Sequence, residues 1–172
     1  MSEEIRQKGF RLLFEGFEPD QIEQLIDYHK ENGGLSRYVK IRYFYEDILG
    51  SKIGEDEVVR LAEKFSVIMR NELTNAKLLN TEWLKLMMII DKTLDHYIAS
   101  GSDQEELRFL CGELGIQNYF KGIFGSPVPK IQNVAYIIKQ NNLELNRTVL
   151  IGDSYNDYEA ASKNGIEFLV FP

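Results

Sequence analysis

The spacing of apolar residues changes near residue 95, and this change constrains the possible folds of the chain more than any other feature. From residue 5 to about 92, apolar residues recur at intervals of three and four, as in Phe10 and Leu13. This spacing predicts amphipathic helices of about 11 to 18 residues, joined by turns short enough to make them antiparallel neighbours. Start signals for the second, third and fourth helices stand at Pro19, Ser36 and Gly54.

From residue 95 onward, short apolar runs alternate with helical patterns. This alternation predicts a parallel α/β sheet with right-handed crossovers, in which ligands bind where strands end and loops begin. We therefore expect a helical region over residues 1–80 and an α/β region over residues 81–172. The predicted strands lie at 96–99, 122–124, 148–151 and 166–171, and the helices between them at 103–114, 129–141 and 157–164.

Composition excludes several classes of protein. The net charge is -7 and no basic run with interleaved aromatic residues occurs, which argues against a nucleic-acid or anionic-membrane partner. The longest uninterrupted apolar run, at residues 86–90, is too short to span a bilayer, and the N-terminal sequence does not resemble a secretion signal. We expect a cytoplasmic protein. Cys111 is the single cysteine, so it forms no intrachain disulfide, and we expect it to be buried on a helix.

Polar residues follow the first predicted strand. Ser100, Gly101, Ser102 and Asp103 lead into a helix whose first backbone N–H groups are expected to form a cradle for a phosphate or a carboxylate. The alternative is that Ser100 and Ser102 are ordinary helix caps.

Charged residues follow the second and third predicted strands. Lys130 lies in the first turn of a helix, where a cation opposes the helix dipole, so we expect an anion nearby. Asp153 and Asp157 stand four residues apart where a loop enters a helix, and such hard oxygen ligands suit Mg²⁺. The alternatives are a solvated surface lysine for Lys130, and a helix cap with a first-turn acid for the two aspartates.

Three segments, in chain order, resemble the second, third and fourth motifs of the haloacid dehalogenase-like hydrolases. The helical region resembles the cap that the phosphoglycolate-phosphatase-like branch inserts between the first and second motifs. The resemblance implies a Rossmann-like parallel sheet with an inserted helical cap. The segments are Ile-Ala-Ser-Gly-Ser at 98–102, Gly125-Ser126-Pro127 with Lys130, and Gly-Asp-Ser-Tyr-Asn-Asp at 152–157 followed by Asn-Gly-Ile at 164–166.

The resemblance also implies a chemistry, that of a Mg²⁺-dependent phosphatase acting on a small phosphorylated metabolite. On this resemblance, Ser100 and Gly101 would bind the transferring phosphoryl group, and Lys130 would neutralise its charge during catalysis. Asp153 and Asp157 would hold Mg²⁺ or orient Lys130.

The first motif of the family, a strand ending in Asp-x-Asp whose first aspartate is the nucleophile, has no counterpart upstream of Ser100. Asp91 is the nearest imitation, but Thr93 occupies the second position and the preceding run at 83–90 has helical spacing. We therefore expect a chain without the nucleophile strand, and short at its C-terminus as well. Without a nucleophilic carboxylate, no aspartyl-phosphate intermediate can form.

Two further functional hypotheses follow from the missing motif. The chain could be a non-catalytic module that binds phosphate or a partner, and the open strand position predicts a homodimer or a partner that supplies a strand. A redox or carbon–halogen hydrolase is less favoured, because Cys111 lacks a partner and dehalogenases need the same missing aspartate.

Five side chains that can carry positive charge fall within residues 29–42, around a glycine turn. In capped members of the family that the chain resembles, the cap contacts the leaving group, so the resemblance makes Arg37 and Lys40 the candidates for substrate selection. The alternative is a solvated helix face balanced by Glu46 and Asp47. Structural roles are expected for His29 and His96, and packing roles for Trp83, Tyr43, Phe44 and Tyr45.

Overall fold

The computed structural model describes residues 2–73 and 94–171. The apolar run at 83–90 and the residues Trp83, Asp91 and Thr93 lie outside the described residues. The helices are α1 (Ser2–Leu13), α2 (Pro19–Glu31), α3 (Arg37–Tyr43), α4 (Glu55–Leu73), α5 (Gln104–Glu113), α6 (Lys130–Gln140) and α7 (Tyr155–Asn164). The strands are β1 (Tyr97–Asp103), β2 (Gly122–Ser126), β3 (Val149–Gly152) and β4 (Glu167–Val170), and short 3-10 turns cover Gln117–Tyr119 and Leu145–Arg147.

The predicted helix starts of the N-terminal region are confirmed. Pro19 is the first residue of α2, where its fixed φ and missing N–H are tolerated. The hydroxyl of Ser36 accepts a hydrogen bond from the backbone N–H of Val39 at the start of α3. Helix α4 begins at Glu55, directly after Gly54.

The third helix differs from its prediction, because α3 has seven residues and continues as a π-helical turn over Phe44–Ile48. A π turn inserts an extra residue into the helical repeat, so apolar spacing alone does not reveal it. The wider turn accompanies complete burial of Phe44, which stacks on Phe14 with ring centroids 4.1 Å apart.

The main apolar core lies between the helices of the N-terminal region. Leu25, Ile26 and Ile41 are fully buried there, and each such side chain stabilises the fold by about 1.5–3 kcal/mol. Packing roles are confirmed for Tyr43, which stacks on Tyr28, for Phe44, which is buried, and for Tyr45, whose ring packs edge-on against Phe44. Within residues 2–73 and 94–171, no helix combines the length and apolarity needed to cross a membrane.

The strands pair in parallel, as predicted. Strand β1 pairs with β2, and β3 pairs with β4, with Ile98 opposite Ile123 and Leu150 opposite Phe168. Among the described residues, the strands form two separate two-stranded sheets rather than one continuous sheet. Each strand pair is closed by a helix, α5 between β1 and β2 and α7 between β3 and β4, as parallel pairing requires.

Strand β1 extends four residues beyond its predicted end, as far as Asp103, with an irregular register after Ala99. Helix α5 therefore begins at Gln104, and the Asp103 carboxylate caps it by accepting hydrogen bonds from two backbone N–H groups. Cys111 is buried on α5, as predicted.

Polar contacts join the helical region to the α/β region. Arg37 of α3 forms an ion pair with Glu106 of α5 at 2.6 Å, and both side chains are buried. The Tyr38 hydroxyl donates to the Asp103 carboxylate at 2.9 Å. The side-chain amide of Asn156 donates to the carbonyl oxygen of Gly34 at 2.7 Å.

The turn between α2 and α3 (residues 32–36, here called the cap turn) lies directly against the carboxyl end of β1. A Cβ atom added to Gly101 would stand 2.3 Å from the carbonyl oxygen of Gly34. A Cβ added to Gly34 would meet the side chains of Ser154 and Asn156 within 3 Å. The close approach of the two regions therefore depends on glycine at both positions.

We expect Glu106→Gln to lower the free energy of unfolding by about 3 kcal/mol or more, because Arg37 would stay buried without its carboxylate. Urea denaturation of variant and wild type at neutral pH measures the difference. The double variant Arg37→Met/Glu106→Leu should recover most of this loss, since it leaves no buried charge behind.

The matched control is Glu105→Gln, the neighbouring residue, whose ion pair with Arg108 is exposed. It should cost less than about 1 kcal/mol. Equal losses in Glu105→Gln and Glu106→Gln would contradict the structural role of the buried pair.

Candidate functional site

A cavity of about 590 Å³ lies where the carboxyl ends of β1 and β3 meet the cap turn. Segments that are far apart in the chain come together here, as expected for the carboxyl ends of parallel strands. Every site residue predicted from the sequence lines this cavity: Ser100, Gly101, Lys130, Asp153 and Asp157 from the α/β region, and Arg37 and Lys40 from the helical region.

The carboxyl end of β1 is ordered by its own side chains. The Ser100 hydroxyl oxygen accepts from the backbone N–H of Ser102 at 3.1 Å, and the Ser102 hydroxyl oxygen accepts from the Arg6 guanidinium at 3.0 Å. As an acceptor in this bond, the Ser100 hydroxyl keeps its own proton for donation to a ligand.

Both sequence interpretations of the helix after β1 require correction. The N–H groups of Glu105 and Glu106, expected to cradle an anion, donate instead to the Asp103 carboxylate. Neither Ser100 nor Ser102 caps this helix, because Asp103 is its N-cap. The sequence pattern did not distinguish these polar residues, since serine and aspartate cap helices equally well.

Lys130 is buried at the first position of α6, and its ammonium contacts the Asp157 carboxylate. The anion expected near this lysine is therefore the side chain of Asp157, and the alternative of a solvated surface lysine is wrong. The ion pair places a positive charge at the cavity, at the junction of α6 and α7.

Asp157 is fixed from three sides. Besides Lys130, its carboxylate accepts from the backbone N–H of Ser154 at 3.1 Å and from the Ser154 hydroxyl at 2.6 Å. Burial raises the pKa of the Asp157 carboxyl, but the hydrogen bonds from Lys130 and Ser154 outweigh burial and lower the pKa below its ordinary value. Gly152 makes room for this carboxylate, because an added Cβ there would stand 2.4 Å from Asp157 Cγ.

The described residues do not form a complete metal site by themselves. No group of three or more His, Cys, Asp or Glu side chains suited to a metal occurs within the described ranges. Mg²⁺ in proteins is held by one or two carboxylates together with waters and substrate phosphates. Asp153 lines the cavity and is exposed, whereas the Asp157 carboxylate is engaged by Lys130 and Ser154. Of the two roles considered for Asp157, the geometry favours the orientation of Lys130.

The two cationic candidates of the helical region have different surroundings. The Arg37 guanidinium donates to Glu106 and to the Ser66 hydroxyl, both at 2.6 Å. The Lys40 ammonium donates to Nδ1 of His29 at 2.6 Å. Both Arg37 and Lys40 are buried, so the alternative of a solvated helix face is wrong for them.

His29 and Arg6 also line the cavity; the sequence interpretation expected a structural role for His29, which is buried, and did not single out Arg6. Burial, followed by the charges of Lys40 and Arg6, lowers the pKa of His29 to about 3, so the imidazole is neutral at physiological pH. Because Nδ1 accepts from Lys40, the ring proton resides on Nε2. The sequence signal for His29 was its position just before the glycine turn, whereas Arg6 lies on a regular helix without any such signal.

Comparison with known proteins identifies the family to which the chain belongs. The model of the haloacid dehalogenase-like hydrolase family matches residues 4–171. A search of curated proteins gave no significant match.

Solved structures share the fold at low sequence identity. One is a predicted phosphoglycolate phosphatase from Haemophilus somnus, with a TM-score of 0.68 and 14% identity over 98% of this chain and 77% of that chain. Another is CbbY from Rhodobacter sphaeroides in complex with phosphate, with a TM-score of 0.64 and 16% identity over 99% of this chain and 80% of that chain. A third is YfnB from Bacillus subtilis, described as a HAD-hydrolase bound to magnesium, with a TM-score of 0.60 and 19% identity over 95% and 78% of the two chains.

The family match spans nearly the whole described chain and includes the three motifs that line the cavity. The fold shared with these structures is consistent with that match. The chain therefore belongs to the haloacid dehalogenase-like hydrolases.

Proposed function

We propose that this hydrolase acts on the phosphate ester of a small metabolite and that Ser100, Gly101 and Lys130 bind the phosphoryl group. The observation that carries the proposal is the buried pair of Lys130 and Asp157 at the edge of the cavity. A lysine held in this way presents a fixed positive charge to a phosphate without reorganisation during binding. The hydroxyl proton of Ser100 adds a hydrogen-bond donor at the adjoining strand end.

The dimensions of the cavity support a small ligand. Its volume of about 590 Å³ lies within the range of small-molecule sites, about 300–1,000 Å³. The cap turn lies against the carboxyl end of β1, so part of the cavity wall comes from the helical region. Such a site suits a metabolite better than a protein or a nucleic acid, and the net charge of -7 also disfavours the latter.

Turnover by the family reaction requires a nucleophilic carboxylate, and no Asp-x-Asp stands upstream of Ser100. We propose that an extended segment outside residues 1–172 supplies it. Among the described residues, β1 pairs only with β2 and β3 only with β4, so each has an edge available for a further strand. We propose Mg²⁺ binding only when the added carboxylate is present, because Asp153 alone does not form a metal site.

The second candidate is a phosphate-binding module without catalysis. The missing Asp-x-Asp favours it, and it predicts phosphate binding without hydrolysis. Both candidates share the phosphate site, and turnover distinguishes them.

We expect inorganic phosphate to bind the wild-type chain, and Lys130→Met to weaken binding about tenfold or more, because the fixed positive charge is lost. Titration calorimetry in magnesium-free buffer measures both affinities. The double variant Lys130→Met/Asp157→Asn leaves no buried unpaired charge, so it separates lost binding from lost folding. The control is Lys163→Met, which removes an exposed lysine of α7 and should leave the affinity unchanged.

Hydrolysis is tested with the same proteins and an aryl phosphate in the presence of Mg²⁺. The assay is run with the chain alone and with a chain extended at its N-terminus by a strand that ends in Asp-x-Asp. Turnover by either chain that disappears in the double variant supports the phosphatase, whereas phosphate binding without turnover by both chains supports the module. Wild-type protein that does not bind phosphate at all would exclude both.

The pH dependence of stability tests the Asp157 pair separately. The lowered pKa of Asp157 means that its contribution is present above the ordinary carboxyl pKa, near 4, and is lost as the pH falls through the folded-state pKa. We expect Asp157→Asn to lose about 3–5 kcal/mol at neutral pH and to show a shallower decline of stability below about pH 4 than wild type.

Urea denaturation at a series of pH values measures both effects. Glu113→Gln, at an exposed position of α5, is the matched control and should keep the wild-type slope. If the free energy of unfolding falls equally steeply with pH in wild type and Asp157→Asn, the carboxylate is not stabilised by its neighbours.

A further inference from the structure

We infer that Arg6 of α1 is a positioning residue for phosphate binding, which acts on Ser100 through Ser102. Its guanidinium holds the carboxyl end of β1 in the conformation that directs the Ser100 hydroxyl toward the phosphoryl group. This inference rests on the proposed function, because it assumes that Ser100 donates a hydrogen bond to the phosphate. It adds that a residue of the helical region sets the geometry of a phosphate-binding residue in the α/β region.

The carboxyl end of β1 departs from the regular pairing of the sheet. Ala99 pairs with Phe124 of β2, and the next paired residue of β1 is Asp103, opposite Ser126. Residues 100–102 of β1 therefore face only Gly125 of β2 between these two pairs. Such a bulge redirects side chains beside a functional site, but it also disrupts the hydrogen-bond ladder locally. Contacts outside the ladder are therefore needed to fix the position of this segment.

Two hydrogen bonds connect Arg6 to Ser100. The Arg6 guanidinium donates to the Ser102 hydroxyl oxygen at 3.0 Å, and the backbone N–H of Ser102 donates to the Ser100 hydroxyl oxygen at 3.1 Å. A guanidinium and a backbone N–H can only donate, so the direction of both bonds is fixed. The Ser100 oxygen is thereby an acceptor within the chain, and its proton remains for a ligand in the cavity that both serines line.

Ser102 is held from both regions of the chain. It is buried, and a Cβ added to Gly125 would stand 2.4 Å from its carbonyl oxygen, so β2 contacts its backbone closely. Arg6 binds its hydroxyl from the helical region. Without the guanidinium, the Ser102 oxygen would lose this donor while buried, which favours a rearrangement of the bulge. The Ser102 N–H would then no longer orient Ser100.

Arg6 itself lines the cavity, so a direct effect of its charge on a bound phosphate is the competing explanation. The two explanations differ in their dependence on Ser100. If Arg6 acts through Ser100, its removal changes nothing once the Ser100 hydroxyl is absent. If Arg6 acts directly, its removal has the same effect with and without that hydroxyl.

The test measures the affinity for inorganic phosphate by titration calorimetry in magnesium-free buffer. We expect Arg6→Met to weaken binding about fivefold or more, because a displaced Ser100 loses its hydrogen bond to the phosphate. Ser102→Ala should weaken binding to a similar extent, although it keeps the positive charge of Arg6. In a Ser100→Ala background, each of these two substitutions should change the affinity by less than about twofold.

Two further variants separate positioning from a general structural role. Arg6→Lys keeps a donor for the single bond to Ser102, so it should restore the affinity to within about threefold of wild type. The matched control is Arg11→Met on the same helix, because Arg11 is exposed and paired with Glu23; it should leave the affinity unchanged. Urea denaturation of each variant measures stability separately. A purely structural role of Arg6 would lower stability and leave the phosphate affinity of the folded protein at its wild-type value.

An equal loss of affinity on Arg6→Met in the wild-type and Ser100→Ala backgrounds would overturn the inference and leave the proposed function standing. Wild-type affinity in Ser102→Ala would also overturn it, and this variant carries the test if Arg6→Met does not fold. Failure of the wild-type chain to bind phosphate, or wild-type affinity in Ser100→Ala, would instead refute the proposed function itself.

Discussion

The ion pair between Lys130 and Asp157 is the interaction on which the arrangement of the cavity depends. It joins the first turn of α6 to the first turn of α7, and these helices follow strands of different two-stranded sheets. Ser154 completes the carboxylate's hydrogen bonds, and Gly152 leaves the space it occupies. Removal of either charged partner would leave the other buried and unpaired, so this ion pair helps to hold the two helices together, as does the hydrogen bond from the Asn164 amide to the carbonyl oxygen of Ile131.

The basic residues of the cavity fall into two groups with different physical roles. Lys130 and Arg37 are bound to carboxylates of the chain itself, and these pairs fix the relative positions of helices. Lys40 and Arg6 act on the neutral His29 and face the same cavity. The first group thus links helices through ion pairs, whereas the second lies beside a neutral imidazole in the helical region.

Periodicity in the sequence was sufficient to predict the helices and the parallel strand pairs, because both depend on which residues are apolar. It failed at Phe44, where a π turn changes the repeat, and at residues 100–103, where polar residues continue a strand. The strand-end residues were found because parallel strands end on one side of a sheet. The meeting of Arg6, His29 and Lys40 at one cavity was not predicted, because it results from the packing of three helices, which no local pattern encodes. The sequence also did not predict that the described strands form two separate sheets, since the apolar pattern of a strand does not specify which strand it pairs with.

The contact surface between the helical and α/β regions is mainly polar, and this affects the free energy needed to separate them. Its polar contacts include the pair of Arg37 and Glu106, the bond from Tyr38 to Asp103, and the bond from Asn156 to a backbone carbonyl, and Leu110 of α5 adds an apolar contact with the helical core. When such groups part, water restores much of their lost solvation, so the free energy of separation is smaller than for an apolar seam of equal area. The same groups form their hydrogen bonds in only one relative position of the two regions, because a shifted position would bury charges without partners. Contacts of this type therefore specify one relative position of the two regions more strongly than they resist separation.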